Sequence, residues 1–183
     1  MKNLMNYILK MKLKIKVKVL TDGCMPVINE NGDLIDLRAA DTYTFNAPQA
    51  GVQYQKDNEK YRDVTFDEQS IKLGVAMQLP KGMMAKLKGR SSLTKRHGVV
   101  MCCSGEIDNS YSGNGDEWLF RVFAIKAGKI EKHDRICQFE VVPNQKATMW
   151  QKIKWLLSSG IELVEVDDLG DNNRGGFGTS GVK

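Results

Sequence analysis

From Lys10 to Val19 the chain alternates. Met11, Leu13, Ile15, Val17 and Val19 fall on one side, and Lys12, Lys14, Lys16 and Lys18 on the other. A period of two predicts a strand with one apolar face and one wet face, and a lysine-lined first strand is suited to guarding a sheet edge. Five more stretches predict strands: "IKLGVAMQL" from Ile71, "HGVVMCC" from His97, "EWLFRVFAI" from Glu117, "RICQFEVV" from Arg135 and "IELVEV" from Ile161. Between them lie "NENGD", "NAPQAG", "PKG", "SGNGDE", "KAGK" and "PN", whose Gly, Asn, Asp and Pro supply turn conformations. Many short strands with this punctuation predict an all-β sandwich or barrel. One stretch has helical period. In "TMWQKIKWLLSSG", Met149, Trp150, Ile153, Leu156 and Leu157 recur at three- and four-residue spacing before Ser158, Ser159 and Gly160 stop the run. "QAGVQYQKDNEKYRD", from Gln49 to Asp63, has neither period and is expected to be a long surface loop.

Composition narrows the class. At 183 residues, 42% hydrophobic and 27% charged, the chain suits one domain with a real core. No apolar run approaches the length of a membrane helix, and the opening "MKNLMNYILK" lacks a small-residue cleavage site. Met11 is an equal candidate for the start, with residues 1–10 as an extension. The net charge of +5 is concentrated: six lysines and no acid occupy the first twenty residues, leaving 21 basic residues against 22 acidic ones. That balance gives no basic face for polymeric nucleic acid. Cys24, Cys102, Cys103 and Cys137 form no CxxC pair, which argues against zinc and for buried, reduced thiols in a cytoplasmic protein.

Five polar motifs remain after the core is assigned: "DLRAAD" from Asp36, "GRSSL" from Gly89, "GEIDNSYSG" from Gly105, "DRICQF" from Asp134 and the tail "RGGFGTSG" from Arg174. Taken singly, an Asp at a strand end is a turn cap and an Arg-Ser-Ser run is polar surface. In this order and at this spacing, from about Lys12 to Gly181, the set resembles the trimeric dUTP pyrophosphatases (dUTPases). The likeness is to the longer type of Gram-positive bacteria and their phages.

The resemblance implies a jelly-roll-like β fold with one short inserted helix (146–159). The β domain would run over 11–173, with a mobile C-terminal lid at 174–183. The implied reaction is Mg²⁺-assisted attack of water on the α-phosphorus of dUTP, giving dUMP and pyrophosphate. That activity keeps uracil out of DNA and supplies dUMP for thymidylate synthesis. Asp108 matches the general base, a role a carboxylate fills if it reaches the attacking water. Asp36 matches an acid that orders waters around the metal. Mg²⁺ itself would be held by the triphosphate and water with no direct protein ligand, as its preference for oxygen and retained waters allows. Arg90, Ser91, Ser92 and Gln138 match phosphate contacts. Tyr111 matches the ring under the sugar, whose bulk leaves no room for a 2′-hydroxyl, and Ile107 completes that floor.

A hairpin from about Val99 to Ile107, including Cys103 and Gly105, would read uracil with backbone groups. Cys103 stands where the family commonly has asparagine, so the backbone would carry more of the recognition. Gly89 stands where proline is frequent. In the tail, Arg174 would pair with the γ-phosphate and Gly176 and Gly178 would let the backbone fold over phosphate. Thr179 and Ser180 would donate hydroxyl hydrogen bonds and Phe177 would stack on the base. The preceding "DDLGDNNRGG" would be loose without ligand. The partners implied are dUTP and two further copies of the chain, with active sites shared around a homotrimer. Two other readings stay open. A dCTP deaminase or bifunctional deaminase shares the fold, but uses a glutamate where Asp108 and the tail match the pyrophosphatases. A regulatory protein partner could dock on the 146–159 helix or the Gln49–Asp63 loop.

Overall fold

The computed structural model describes residues 11–176. In chain order its elements are β1 (Leu13–Val19), β2 (Val27–Ile28), β3 (Ile35–Arg38), β4 (Tyr43–Phe45), β5 (Gln49–Lys56) and β6 (Glu59–Thr65). There follow β7 (Glu68–Lys72), β8 (Val75–Gln78), β9 (Met83–Gly89), α1 (Leu93–His97), β10 (Val99–Met101) and β11 (Gly105–Ile107). The last are β12 (Leu119–Ala124), β13 (Gly128–Ile130), β14 (Arg135–Pro143), α2 (Met149–Leu156) and β15 (Ile161–Glu165). The all-β expectation holds, with a second short helix beside the expected one. Helix α1 escapes a periodicity argument because five residues make little more than one turn.

The alternating lysine stretch is β1. Leu13, Ile15 and Val17 are buried and Lys14 and Lys16 exposed. It is not an edge strand: β15 pairs with it in parallel and β8 antiparallel, so the lysines line the outer face of a sheet interior. The stretch read as one strand from Ile71 is two. Gly74, at φ +66, turns the chain between β7, which pairs with β12, and β8, which pairs with β1. A Cβ at Gly74 would lie 2.8 Å from the Cys24 sulfur, so only glycine fits the turn.

The sheet that positions the site has the order β11-β9-β14-β3-β2. Its inner face carries Ile35, Leu37, Ala85, Leu87, Phe139 and Val141 into a core that includes Trp118 and Phe120. Trp118 and Phe139 meet edge to face at 5.1 Å. Because side chains alternate across a strand, Asp36, Lys88 and Gln138 must point to the opposite face.

The expected Gln49–Asp63 loop is instead a two-stranded hairpin. Strands β5 and β6 pair from Gln49↔Thr65 to Lys56↔Glu59, and every residue of both strands is exposed. Asp57 and Asn58 take positive φ of 49° and 64° in the two-residue turn, the conformation that suits a right-twisted hairpin. Tyr54 and Tyr61 stack across it at 5.9 Å. With neither face buried there is no hydrophobic alternation to read, and only the Asp-Asn turn signals the hairpin. Among the described residues no helix is long and apolar enough to cross a membrane.

Replacing residues 50–64 with a short turn should therefore leave the fold intact. No core side chain is removed, so the melting temperature is expected to move by no more than a few degrees. A collapse of cooperative unfolding on thermal denaturation would mean the hairpin carries hidden stability.

Candidate active site

The predicted site residues gather into two groups. The first is cationic. Asp36 on β3 and Gln138 on β14 are cross-strand neighbours. Asp36 is 3% exposed and is held by two guanidinium groups, Arg135 Nη1 at 3.1 Å and Arg90 Nε at 3.4 Å. A carboxylate buried to this degree needs such partners, and leaving one unpaired costs about 3–5 kcal/mol. Arg90 leaves β9 with its own N–H donating to the Ile136 carbonyl at 3.1 Å, which fixes its backbone, and its guanidinium is turned to Asp36. Arg135 was missed as a site residue. The signal was present, since it directly precedes the "ICQF" alternation opposite Asp36. Ser91 and Ser92 form the turn into α1, and Ser92 sits at the N-cap without a side-chain cap bond, leaving its hydroxyl uncommitted to the helix. Burial, with the Asp36 carboxylate nearby, pushes the Cys137 thiol well above its usual range and keeps it protonated.

The second group surrounds the end of β11. Asp108 follows Ile107 and is 62% exposed at its side chain. Arg174 Nη1 donates to Asp108 Oδ2 at 2.8 Å, so the expected base and the expected phosphate cation pair with each other. An exposed pair of this kind is worth at most about 1 kcal/mol and exchanges readily for a stronger anion. Tyr111 donates its hydroxyl to the Glu117 carbonyl at 2.8 Å. Burial, then the Asp116 and Glu117 carboxylates, raise its pKa and keep the phenol neutral. Gly176 lies over this ring: a Cβ there would stand 3.4 Å from Tyr111 Cε2. Asp108 and Arg174 line a groove of about 930 Å³ together with Lys86, Glu106, Asn144 and Lys146.

The approach to the tail is held rather than loose. Asp171 accepts from Gln78 at 2.6 Å and Ser112 at 2.8 Å. Asn173 Oδ1 accepts from the Gly115 N–H at 2.7 Å, and the Asn173 backbone packs so closely on Gly113 that any Cβ there would clash at 2.6 Å. Asp116, which the sequence reading passed over, is the anchor. It is 1% exposed and accepts the N–H groups of Gly113, Arg174 and Gly175 at 2.9 to 3.1 Å. Burial opposes its ionisation. The N–H groups of Arg174, Gly113, Gly175 and Ser112 more than offset burial and hold the carboxyl below its ordinary value. Phe177, Gly178, Thr179 and Ser180 lie outside the described residues, as do residues 1–10.

The hairpin expected from Val99 to Ile107 takes another form. Strand β10 pairs with β12 and β11 pairs with β9, so the chain crosses between two sheets at the bend of Cys102 to Ser104. Cys103 and Gly105 line a groove of about 350 Å³ beside Lys88 and Gly89. The four thiols are all free, but only Cys24 and Cys137 are buried. Cys102 is half-buried and Cys103 is exposed. Among the described residues no three His, Cys, Asp or Glu side chains gather to hold a metal ion.

Comparison with known proteins establishes the family. The dUTPase family model matches residues 59–181. Over 174 residues the chain is 39% identical to the SPbeta prophage-derived deoxyuridine 5′-triphosphate nucleotidohydrolase YosS of Bacillus subtilis, covering 93% of this chain and all of that one. Over 172 residues it is 30% identical to the deoxyuridine 5′-triphosphate nucleotidohydrolase of Escherichia phage T5, covering 92% and 99%. A mutant dUTPase from phage phi11 of S. aureus, solved with a structural Mg(II) ion, shares the jelly-roll fold at 18% identity. Its TM-score is 0.55, covering 74% of this chain and 94% of that one. The chain belongs to the dUTPase family.

Asp116→Asn should loosen the root of the tail. Weakening the charge-assisted bonds to Arg174 and Gly175 by about 1–3 kcal/mol corresponds to roughly tenfold or more in local opening. Trypsin is expected to cut after Arg174 correspondingly faster than in the parent chain. The pH sign follows from the depressed carboxyl: anchoring is fully present above its unfolded value and is lost as pH falls through the lowered folded value, below 3.8. Unchanged cleavage in the variant would remove Asp116 as the anchor.

Proposed function

We propose that this chain hydrolyses dUTP to dUMP and pyrophosphate in active sites assembled from more than one copy. The observation that carries this reading is the separation of the two groups along one sheet. Ile107, beside Asp108, pairs with Ala85 and through it with Val141, whereas Asp36 pairs with Gln138. Three residues along the strand and three strand spacings across make roughly 17 Å between those backbone positions. A water activated by Asp108 and a phosphate held by Arg90 must meet within about 3–4 Å. That separation favours sites shared between copies, in which a cyclic trimer would set one copy's Asp108 group against its neighbour's Arg90 group.

In this reading Asp108 accepts a proton from the water that attacks the α-phosphorus, the bond from that phosphorus to the bridging oxygen breaks, and pyrophosphate leaves. Arg90, Ser91, Ser92 and Gln138 bind the phosphates, with Asp36 and Arg135 fixing Arg90. Arg174 gives up Asp108 for the γ-phosphate as the segment from Arg174 onward closes over the nucleotide. Tyr111 and Ile107 form the sugar floor that excludes a 2′-hydroxyl, and Cys103 and Gly105 line the base subsite. Mg²⁺ bound with the triphosphate would supply charge neutralisation there, with Asp36 the acid nearest the phosphate-binding arginines.

Pyrophosphate release measured across the deoxynucleoside triphosphates and UTP, with and without Mg²⁺, tests the substrate. Release from dUTP alone is expected, and ammonia from dCTP would overturn the choice. Asp108→Asn and Arg90→Ala should each abolish turnover on their own. Mixed after subunit exchange in equal amounts, they should recover about a quarter of wild-type activity, because random assembly gives a quarter of the sites both intact groups. No recovery would place each site within one chain. A chain ending at Asn173 should fold and assemble yet lose most of its activity, and full activity would refute the closing tail.

A further inference from the structure

Asp108 is aimed by its backbone. Among the described residues its carboxylate bonds Arg174, the contact given up when the tail closes on the nucleotide. What then holds the carboxylate is main chain. Before it, the three-residue edge strand β11 ends its ladder on β9 at Ile107, opposite Ala85. After it, the Tyr111 N–H donates to the Asp108 carbonyl at 3.0 Å and closes a turn. A short edge strand and one turn bond leave the direction of the side chain loosely set. For a base that matters, because a misplacement of about 1 Å costs roughly a hundredfold in rate.

Asn109 stands inside that turn, and its side chain leaves it. An asparagine that merely makes a turn bonds its own backbone about two residues on. Asn109 instead reaches back to another segment, where its Nδ2 donates to the Pro80 carbonyl at 2.9 Å and the Leu79 carbonyl at 3.1 Å. An amide nitrogen carries two hydrogens, so both bonds are made at once. The segment it grips is firm. Leu79 is buried, and the Pro80 carbonyl also accepts the Met83 N–H at 3.0 Å, closing the turn from β8 into β9. Gly82 in that turn, at φ +78, accepts the Asn144 N–H through its carbonyl at 2.9 Å and lies under the Gln151 side chain of α2. The β8–β9 turn is thus fixed from three sides before Asn109 binds it.

We infer that Asn109 is a positioning residue: by tying the Asp108–Tyr111 turn to the β8–β9 turn, it keeps the Asp108 carboxylate aimed once Arg174 has left it. The inference rests on the reading of Asp108 as the base. It adds a role for a residue that touches neither the nucleotide nor the attacking water and acts only through its neighbour.

Two variants test it in the full chain with Mg²⁺, Asn109→Ala and Asn109→Leu, the second similar in shape but without a donor. Asp108→Asn is measured beside them. For each, the single-turnover rate of dUTP cleavage and the affinity for the non-cleavable α,β-imido analogue are compared with the parent chain. Both Asn109 variants should cleave about tenfold to a hundredfold more slowly. Analogue affinity should stay within about threefold, because the phosphate-binding residues are untouched. The Tyr111 N–H should exchange faster in both variants while the core strand β14 keeps its protection. Parent cleavage rates in both, with Asp108→Asn inactive, would overturn the inference and leave Asp108 as the base. Affinity lost in step with rate, or protection lost in β14 as well, would also overturn it, assigning Asn109 to binding or to the fold. Turnover in Asp108→Asn would remove the base and the inference together.

Discussion

Strand β14, held between β3 and β9, is the constraint from which the rest follows. Its inward residues, Cys137, Phe139 and Val141, must be buried for the core to close, and that requirement fixes its register against both neighbours. With the register fixed, Gln138 is forced outward opposite Asp36 and Lys88. A slip of one residue would drive a polar row into the core. The polar row on that face is therefore a by-product of packing: the same alternation that buries Phe139 presents Gln138.

The second group is placed by polar bonds instead. The segment from Ser112 to Asp116 has little side chain to pack, and it holds the approach to the tail through Asp116, Gly113, Gly115 and Asn173. A buried carboxylate accepting several backbone N–H groups resists both protonation and displacement. It fixes the backbone at Arg174 and Gly175. The exposed Asp108 and Arg174 pair just outside this anchor is of the opposite kind, weak and exchangeable. A firm root and a labile contact therefore stand side by side at Asp116 and Arg174.

At the Cys102 to Ser104 bend the expected hairpin is replaced by a different construction. The two strands flanking it belong to different sheets, so the bend is a crossover held at both ends by ladders to β12 and β9. Rigidity there comes from two neighbours rather than from one hairpin ladder.

Much of the fold was legible in the residues. Period two marked β1, β12, β14 and β15, period 3.6 marked α2, and the order of five polar motifs marked the family. Each of these signals is local, set by which side chains share a face within one element. The exposed hairpin of β5 and β6 was not legible, because strands that bury neither face need no alternation. Nor was Arg135 as a partner of Asp36, or Asp116 as the anchor of Arg174 and Gly175, residues 58 and 59 positions later. Those roles arise from backbone groups brought together by the sheets, and an N–H group leaves no trace in residue type. The sequence by itself determined which chemistry the chain carries. Only the tertiary structure decided that Asp36 and Asp108 stand at distant points of one sheet, because strand register, not motif spacing, sets distance in space.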